Sequence, residues 1–207
     1  MKLMNKIAYL LNQSTFMQVQ NYIHKKILVV LKFVRKNDSI IDLGCGNRED
    51  NLATRILTSK FPNYLGVDSD PQISSSKIIK SDIETFKINK KFDVVLCLDV
   101  IEHFKNPNVV VDKISQLCKK RAIVATPIIS NKKVRLIGNL LRSTFGFELL
   151  SKHYWEFFEY EILQLFDNGK FDLKKIIYLD TPIPLIHPLL AKFKLIRQGC
   201  FIFDVKS

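Results

Sequence analysis

The sequence predicts an α/β protein with a doubly wound, mostly parallel sheet, and three observations support this. Short apolar runs alternate with segments of helical periodicity, which is the pattern of parallel strands joined by helices. Two glycines, Gly44 and Gly46, stand directly after the first apolar run. Acidic residues stand at the ends of the first four runs. Because ligands bind at the carboxyl edge of such sheets, the pattern predicts a ligand site there.

The first strand is predicted within residues 39–43, where an apolar run includes Asp42 and leads into the glycine loop at residues 44–46. Glycine permits a sharp turn and lets the backbone lie against a ligand without a Cβ in the way. A helix is predicted over residues 49–59. The loop between strand and helix would therefore present backbone N–H groups to a small molecule.

The next three predicted strands also end in acidic residues. Residues 63–67 lead into Asp68, whose carboxylate would lie beside the glycine loop and accept the hydroxyl groups of a ribose. The strands at residues 78–80 and 92–98 lead into Asp82 and Asp99. These residues extend the predicted ligand site along the edge of the sheet.

At these positions the chain resembles class I S-adenosylmethionine-dependent methyltransferases, in particular the type 11/12-like small-molecule group that includes ubiquinone-biosynthesis O-methyltransferases. The resemblance covers residues 38–207. The motifs that carry it are Asp42-Leu43-Gly44-Cys45-Gly46, Gly66-Val67-Asp68, Ser81-Asp82-Ile83 and Asp99-Val100-Ile101-Glu102-His103. They are similar to the glycine motif, the ribose-binding motif, the adenine-side motif and the signature after strand four. Four ordered motifs are far more specific than any one of them.

The resemblance implies a Rossmann-like sheet of seven strands with helices on both faces and the last strand inserted antiparallel between its neighbours. It also implies S-adenosyl-L-methionine as the methyl donor. The residues expected to bind this donor are Asp42, Gly44, Cys45, Gly46, Asp68, Ser69, Asp82, Ile83, Leu98 and Asp99. One position departs from the family, since Arg48 stands where a third glycine is frequent. Arg48 either faces solvent or contacts the methionine carboxylate.

A nicotinamide or flavin dinucleotide is the alternative ligand, because it uses a similar strand, glycine loop and acidic residue. That fingerprint needs a third glycine three residues after the second, where this chain has Glu49. A carboxylate there would repel a pyrophosphate, whereas a sulfonium-bearing adenosine carries no phosphate. The methyl donor is therefore favoured.

The length and composition predict one cytoplasmic domain with a well-buried core. The chain has 207 residues, of which 47% are hydrophobic and 25% charged, and these are ordinary values for a globular protein. The four cysteines show neither C-x-x-C nor metal-binding spacing, so we expect reduced, buried thiols and no metal site. The sequence shows no secretory signal and no uncharged stretch long enough to span a membrane.

The net charge of +12 is concentrated at both ends of the chain. Residues 1–37 contain seven Lys and Arg and no acidic residue, and residues 170–207 contain seven basic and three acidic residues. Two interpretations stand side by side. Either these ends contact an anionic surface, RNA or membrane phospholipid, or the lysines form a solvated surface without a partner.

The chain is predicted to have two parts. Residues 1–37 form a helical segment packed on the core, because apolar residues recur at three- and four-residue steps over residues 14–36. Residues 38–207 form a single methyltransferase domain with a lid-like excursion at about 128–154. The excursion and residues 181–196 are both apolar and basic, so they either cover the acceptor or pack against the body of the protein.

The remaining elements follow from periodicity and stop signals. Helices are predicted over residues 108–119 and 156–167, and the second of these ends at Asn168-Gly169. Strands are predicted over residues 121–125, ending at Thr126-Pro127, and over residues 171–179 and 200–206.

Methyl transfer requires few catalytic side chains, because the sulfonium of the donor is already activated. The protein must mainly align a nucleophile with the methyl group and exclude water. A hydroxyl nucleophile benefits from a general base such as histidine. His103, just past the fourth strand, and His153, beside Tyr154 and Trp155, are the candidate catalytic residues. The alternatives are that His103 and Glu102 brace the loop and that the aromatic segment packs the core.

Three functions are consistent with these residues. The first is methyl transfer to a small, lipid-like or sugar-linked acceptor, with oxygen as the favoured atom. The second is methyl transfer to tRNA or rRNA held by the basic termini, although these lack a clear aromatic stacking platform. The third is a cofactor-binding partner subunit without turnover.

Overall fold

A central sheet of seven strands organises the chain. The computed structural model describes residues 20–46, 52–70, 72, 75–130, 132, 154–179 and 196–206. The strands are β1 (Ile40–Leu43), β2 (Tyr64–Asp68), β3 (Ile78–Lys80), β4 (Phe92–Leu98), β5 (Cys118–Ile129), β6 (Phe171–Leu179) and β7 (Ile196–Val205). The helices are α1 (residues 20–33), α2 (Leu52–Lys60), α3 (Pro107–Leu117) and α4 (Glu159–Leu165), with a short 3-10 helix at Ile101–His103.

The strand order across the sheet is β3-β2-β1-β4-β5-β7-β6. The first five strands along the chain pair in parallel, and β7 runs antiparallel between β5 and β6. The predicted inserted last strand is therefore confirmed. The order reverses direction between β1 and β4, which is the position where open α/β sheets form a crevice at the carboxyl ends of their strands.

Helices cover both faces of the sheet, because the side chains of a strand alternate between its faces. In β1, Ile41 and Leu43 join the apolar core that contains Ile114 of α3 and buried residues of α4. Ile40 points to the opposite face and joins a second core with Val30 of α1 and buried residues of α2. The doubly wound architecture predicted from the sequence is confirmed.

Strand β5 extends further than predicted, through Pro127 to Ile129. Proline is tolerated in a strand where its missing N–H faces no ladder partner. The last residue pair between β4 and β5 is Leu98 with Ala125. After Ala125, the side of β5 that faces β4 pairs with no other described strand. The N–H of Ile129 lies on the same side and donates to the Phe157 carbonyl. The predicted stop at Pro127 was therefore wrong, because β7 continues to pair along the other side.

Strand β7 begins at Ile196, four residues before its predicted start. Gln198 and Gly199 interrupt the apolar alternation that the prediction used. Gly199 is required here by close packing, since a Cβ at this position would lie 2.7 Å from the ring of Phe201. Because Gln198 is polar and Gly199 has no side chain, the apolar alternation was interrupted, and the first four residues of the strand were not predicted.

The helix ends differ from the predictions by a few residues. Helix α1 ends at residue 33, three residues early. Helix α4 begins after Phe158, whose N–H donates to Oε2 of Glu161 at 2.8 Å and so caps the helix start. The turn after α4 contains Gly169 at φ +76°, which agrees with the predicted Asn-Gly stop.

Several predictions concern residues outside the described part of the chain. These are the helical start over residues 14–19, Arg48, His153, most of the excursion at 128–154 and the segment from 181 to 195. The division into residues 1–37 and 38–207 stays a prediction. All four cysteines are described, and they are buried, as predicted, with no disulfide between them: Cys45, Cys97, Cys118 and Cys200. No described helix is both long and apolar enough to cross a membrane.

Candidate active site

The loop after β1 is a tight turn that only glycine adopts readily. Gly44 and Gly46 have φ values of +73° and +70°, which residues with a Cβ rarely adopt. The N–H of Gly44 donates to the Val67 carbonyl at 2.8 Å, which holds the loop against β2. A Cβ at Gly44 would overlap the side chain of Val100, so the loop also packs on the turn after β4. The loop is therefore fixed at the crevice between β1 and β4.

Asp68, at the end of β2, holds the glycine loop in place. Its Oδ2 accepts the N–H of Gly46 at 2.7 Å and its Oδ1 accepts the N–H of Asp70 at 2.9 Å. Each carboxylate oxygen has a further lone pair, so the group keeps capacity for another donor. Ser69 follows it and is exposed. Asp68 thus lies at the sheet edge beside the glycine loop, and its contact with a ribose stays a prediction.

Asp42 lies in β1 and is buried, with 3% of its surface exposed. Its Oδ2 accepts the hydroxyl hydrogen of Tyr64 at 2.7 Å. Burial raises the pKa of Asp42 from 3.8 to about 7, although the hydrogen bond from Tyr64 acts in the opposite direction. The carboxyl group expected to bind the donor therefore has Tyr64 as its direct partner.

The other predicted donor-binding residues lie further along the same edge. Asp82 is exposed, and its Oδ1 accepts the N–H of Glu84 at 2.7 Å, which shapes the turn after β3. Ile83 is buried in the core on the α3 side. Leu98 is half-buried and packs toward α1. Their predicted contacts with the adenosine stay predictions.

Asp99 is the centre of a polar cluster that joins three distant parts of the chain. It has a φ of +58°, a left-handed value that turns the backbone sharply after β4. Its carboxylate pairs with the Nζ of Lys26 and accepts the hydroxyl of Tyr22 at 3.3 Å, both from α1. Nε2 of Gln198, on β7, donates to Oδ1 of Asp99 at 2.5 Å. We call these four residues the Asp99 cluster.

Sequence reasoning found Asp99 but missed its three partners. Lys26 is 7% exposed and lies three residues after Ile23 and four before Val30, so it interrupts the apolar face of α1. Gln198 interrupts the buried face of β7 in the same way. A charged or amide side chain on an otherwise apolar face is the signal that could have found Lys26 and Gln198, because such groups are buried only with partners.

Glu102 lies in the turn after β4 and stabilises it through buried hydrogen bonds. It is fully buried, and its Oε2 accepts the hydroxyl of Thr126 at 3.0 Å. Its carbonyl accepts the N–H groups of Tyr154 and Trp155 at 2.9 and 3.3 Å, so the chain returning to the fold is tied to this turn. Burial, followed by the charge of Asp99, raises the pKa of Glu102. These contacts support the bracing interpretation for Glu102.

His103, the next residue, is exposed at the end of the 3-10 helix. Exposure leaves its imidazole accessible for proton transfer at the edge of the sheet. Its predicted role as general base stays a prediction, and that of His153 concerns a residue outside the described part. In the described residues no group of three or more His, Cys, Asp or Glu is arranged to hold a metal ion.

A cleft of about 500 Å³ lies beside this turn, between the start of α3 and α4. Trp155 forms part of its wall, is 40% exposed and donates from Nε1 to the Lys105 carbonyl at 3.2 Å. The residues that line the cleft are Lys105, Asn106, Pro107, Asn108, Trp155, Phe157, Glu161, Gln164 and Leu165. An accessible indole beside polar groups suits an acceptor that has both apolar and polar parts.

The fold and the edge residues together define the class of protein, a class I methyltransferase. Residues 16–170, most of the chain, match the family described as methyltransferase domain. The chain belongs to this family. The resemblance drawn from the four sequence motifs is thereby confirmed.

The relatives of known function are distant. A ubiquinone biosynthesis O-methyltransferase of Rickettsia bellii is 24% identical over 154 residues, which are 66% of this chain and 62% of that protein. A (S)-coclaurine N-methyltransferase of Papaver somniferum is 24% identical over 111 residues, which are 48% of this chain and 32% of that protein. The chain thus spans less than two thirds of the length of these relatives.

The same fold is found among solved structures. Magnesium protoporphyrin IX methyltransferase of Synechocystis, with bound SAH, superposes with a TM-score of 0.60 at 15% identity. The match covers 92% of this chain and 84% of that one. At this identity the likeness shows the fold.

Proposed function

We propose that this chain transfers the methyl group of S-adenosyl-L-methionine to an oxygen of a small, lipid-like or sugar-linked acceptor. The observation that carries the proposal is the bond from the Gly46 N–H to Asp68, which fixes a glycine loop and a carboxylate side by side at the crevice. Family membership and the solved relatives that contain the donor or its product support the choice of ligand.

The groups along the crevice suit this donor chemically. Asp68 has lone pairs for ribose hydroxyls, and Asp68 and Asp82 form an acidic edge that favours a cation over a pyrophosphate, whereas the charge of Asp99 is balanced by Lys26. When bound, the donor would supply a methylsulfonium from which a nucleophile takes the methyl group, while the electrons of the broken S–C bond stay on sulfur and the proton of an O–H acceptor leaves to a base or to water. The chain's own task is to hold the acceptor in line and to exclude water.

The proposed acceptor class rests on the surroundings of the crevice. Tyr154 and Trp155 are exposed at the point where the chain returns to the fold, and Trp155 lines the cleft described above. Apolar, accessible aromatics of this kind suit a ring or lipid-like acceptor. Oxygen as the methylated atom agrees with the ubiquinone O-methyltransferase relatives, whereas the coclaurine relative acts on nitrogen.

The experiment is transfer of labelled methyl from S-adenosyl-L-methionine into a fractionated cell lysate by the purified chain. We expect the label in the organic extract, in a product that releases it as methyl iodide in hot hydriodic acid, as an O-methyl group does. Label in RNA would contradict the proposal in favour of a nucleic-acid substrate. Tight binding of SAH with no label in any fraction would instead identify a partner subunit without turnover.

Asp68→Asn is the matched loss-of-function variant for this experiment. We expect at least a tenfold weaker affinity for SAH by calorimetry, because charge-assisted hydrogen bonds would be lost. Asp112→Asn, an exposed change of the same chemistry on α3, is the control and should leave the affinity unchanged. Equal affinity in Asp68→Asn and the unchanged chain would contradict the placement of the donor.

RNA-directed transfer is favoured by one separate feature, a basic groove of about 600 Å³ between the loop before β4 and the end of α3. Five lysines line it: Lys87, Lys90, Lys91, Lys113 and Lys119. The groove lies at the amino end of β4, about 20 Å from the crevice at the carboxyl end of this strand. Together with the basic termini it is a candidate contact for an anionic surface, and the distance counts against it as the reaction site.

A further inference from the structure

Gln198 carries a buried carbonyl oxygen that has no hydrogen-bond donor in the described part of the chain. The residue is fully buried, and its Nε2 donates to Asp99. Because the amide is planar, this bond fixes the direction of Oε1 as well. A buried polar atom without a partner is rare and costly in native proteins, so it points to a group that arrives from outside.

The position of Gln198 at the edge of the sheet indicates what that group is. Gln198 pairs with Pro127, beyond the last β4–β5 pairing, so it lies at the carboxyl edge of the parallel strands. Tyr22 and Lys26 approach the same point from α1 through their bonds to Asp99. The unpartnered oxygen therefore belongs to the Asp99 cluster and not to a separate surface pocket.

The strand order separates this oxygen from the donor. The residues predicted to bind adenine, ribose and the methionine part follow β3, β2, β1 and β4, which are adjacent in the sheet. Neighbouring strands are about 4.8 Å apart, so the donor occupies the edge as far as β4. The next strands in the sheet are β5 and β7. The side chain of Gln198, on β7, extends toward β4 and donates to Asp99 at the end of that strand. Gln198 thus lies beyond the reactive end of the donor.

We propose that Gln198 is an acceptor-binding residue, whose Oε1 accepts a hydrogen bond from the O–H or N–H group that is methylated. This inference rests on the proposed function and adds a residue and a chemical class to it. Lys26 balances the charge of Asp99, Asp99 orients the amide of Gln198, and the amide carbonyl orients the acceptor. An acceptor held through its hydrogen keeps a lone pair free to face the methyl group.

Transfer of labelled methyl into the organic extract, followed at increasing extract concentration, tests the assignment without knowledge of the acceptor. SAH binding, measured by calorimetry, reports on the donor site separately. In Gln198→Met we expect the extract concentration that gives half-maximal transfer to rise about tenfold while SAH affinity changes less than twofold, because only the acceptor donates to Oε1.

Gln198→Asn, which withdraws the carbonyl without removing the amide, should show a smaller loss in the same direction. Gln116→Met, on the exposed face of α3, is the control and should change neither quantity. Equal losses of transfer and of SAH affinity, or no loss of either, would overturn the assignment of Gln198. If the unchanged chain neither transferred the label nor bound SAH, the proposed function would fail, and this inference would fail with it.

Discussion

At the scale of single residues, Asp42 and Tyr64 form a buried pair that contributes to the pH dependence of stability. Asp42 has a pKa of about 7 in the folded chain, against 3.8 ordinarily. Between these values the folded chain holds a proton that the unfolded chain has lost. The contribution of Asp42 to stability is therefore complete below about pH 4 and is lost as the pH rises through about 7.

Asp42→Asn should remove this pH dependence, because an amide does not ionise. The unchanged chain should lose stability between about pH 4 and pH 7, whereas the variant should not. We therefore expect the difference in the free energy of unfolding, variant minus unchanged chain, to increase over this range by up to about 1.4 kcal/mol per pH unit. Urea unfolding at about pH 5 and about pH 8 measures it. In Tyr64→Phe the loss of the hydrogen bond should shift the fall in stability to higher pH. A pH-independent difference for Asp42→Asn would contradict the burial argument.

At the scale of elements, Arg121 of β5 ties three of them together. Its Nε and Nη2 donate to the two carboxylate oxygens of Asp204 on β7, at 2.5 and 2.9 Å. Its Nη1 donates to the carbonyl of Phe33 at 2.7 Å, at the end of α1, where helix carbonyls lack intrahelical partners. Arg121 therefore fixes α1 over the strands whose ends carry the Asp99 cluster.

Arg121→Met should cost about 1.5–3 kcal/mol of stability, because bonds from a partly buried guanidinium to a carboxylate and a helix end are lost. Lys174→Met is the matched control, since Lys174 also pairs with Asp204 but is 46% exposed. We expect its cost to stay below about 1 kcal/mol. Chemical denaturation of both variants measures the costs. Equal costs would show that Arg121 has no linking role beyond an ordinary surface pair.

At the scale of the whole molecule, α1 is part of the core and part of the site. Val29 and Val30 are buried against strands on one face of the sheet, and Tyr22 and Lys26 on the same helix reach Asp99. Removal of residues 1–37 would expose that face of the sheet to water. The N-terminal helical segment, which was predicted to pack on the core, thus contacts both the core and the Asp99 cluster through its described residues 20–33.

A chain that starts at Asp38 should therefore lose cooperative unfolding and bind a hydrophobic dye such as ANS. Leu28→Ser, at a position on α1 that is 57% exposed, is the control and should keep stability within about 0.5 kcal/mol. Thermal and dye-binding measurements on both proteins test this. Cooperative unfolding of the shortened chain near the original midpoint would contradict the role assigned to α1.

Much of the fold could be predicted because its signals are local. A strand, a glycine turn and an acidic residue lie within a few positions of one another, so β1 with Gly44 and Gly46, and β2 with Asp68, were readable from the chain. The end of β5 and the start of β7 could not be predicted in this way. Pro127 and Gly199 carry the usual stop signals, and only the strand that lies beside each one decides whether it ends the pairing.

By itself, the sequence determined the class of fold, the family and the edge of the sheet at which we propose that the donor binds. The Asp99 cluster was decided only by the tertiary structure. Its members are separated along the chain by 73 to 99 residues from Asp99. No local pattern pairs such residues, because their meeting depends on how α1 packs across the sheet and on the antiparallel insertion of β7 beside β5.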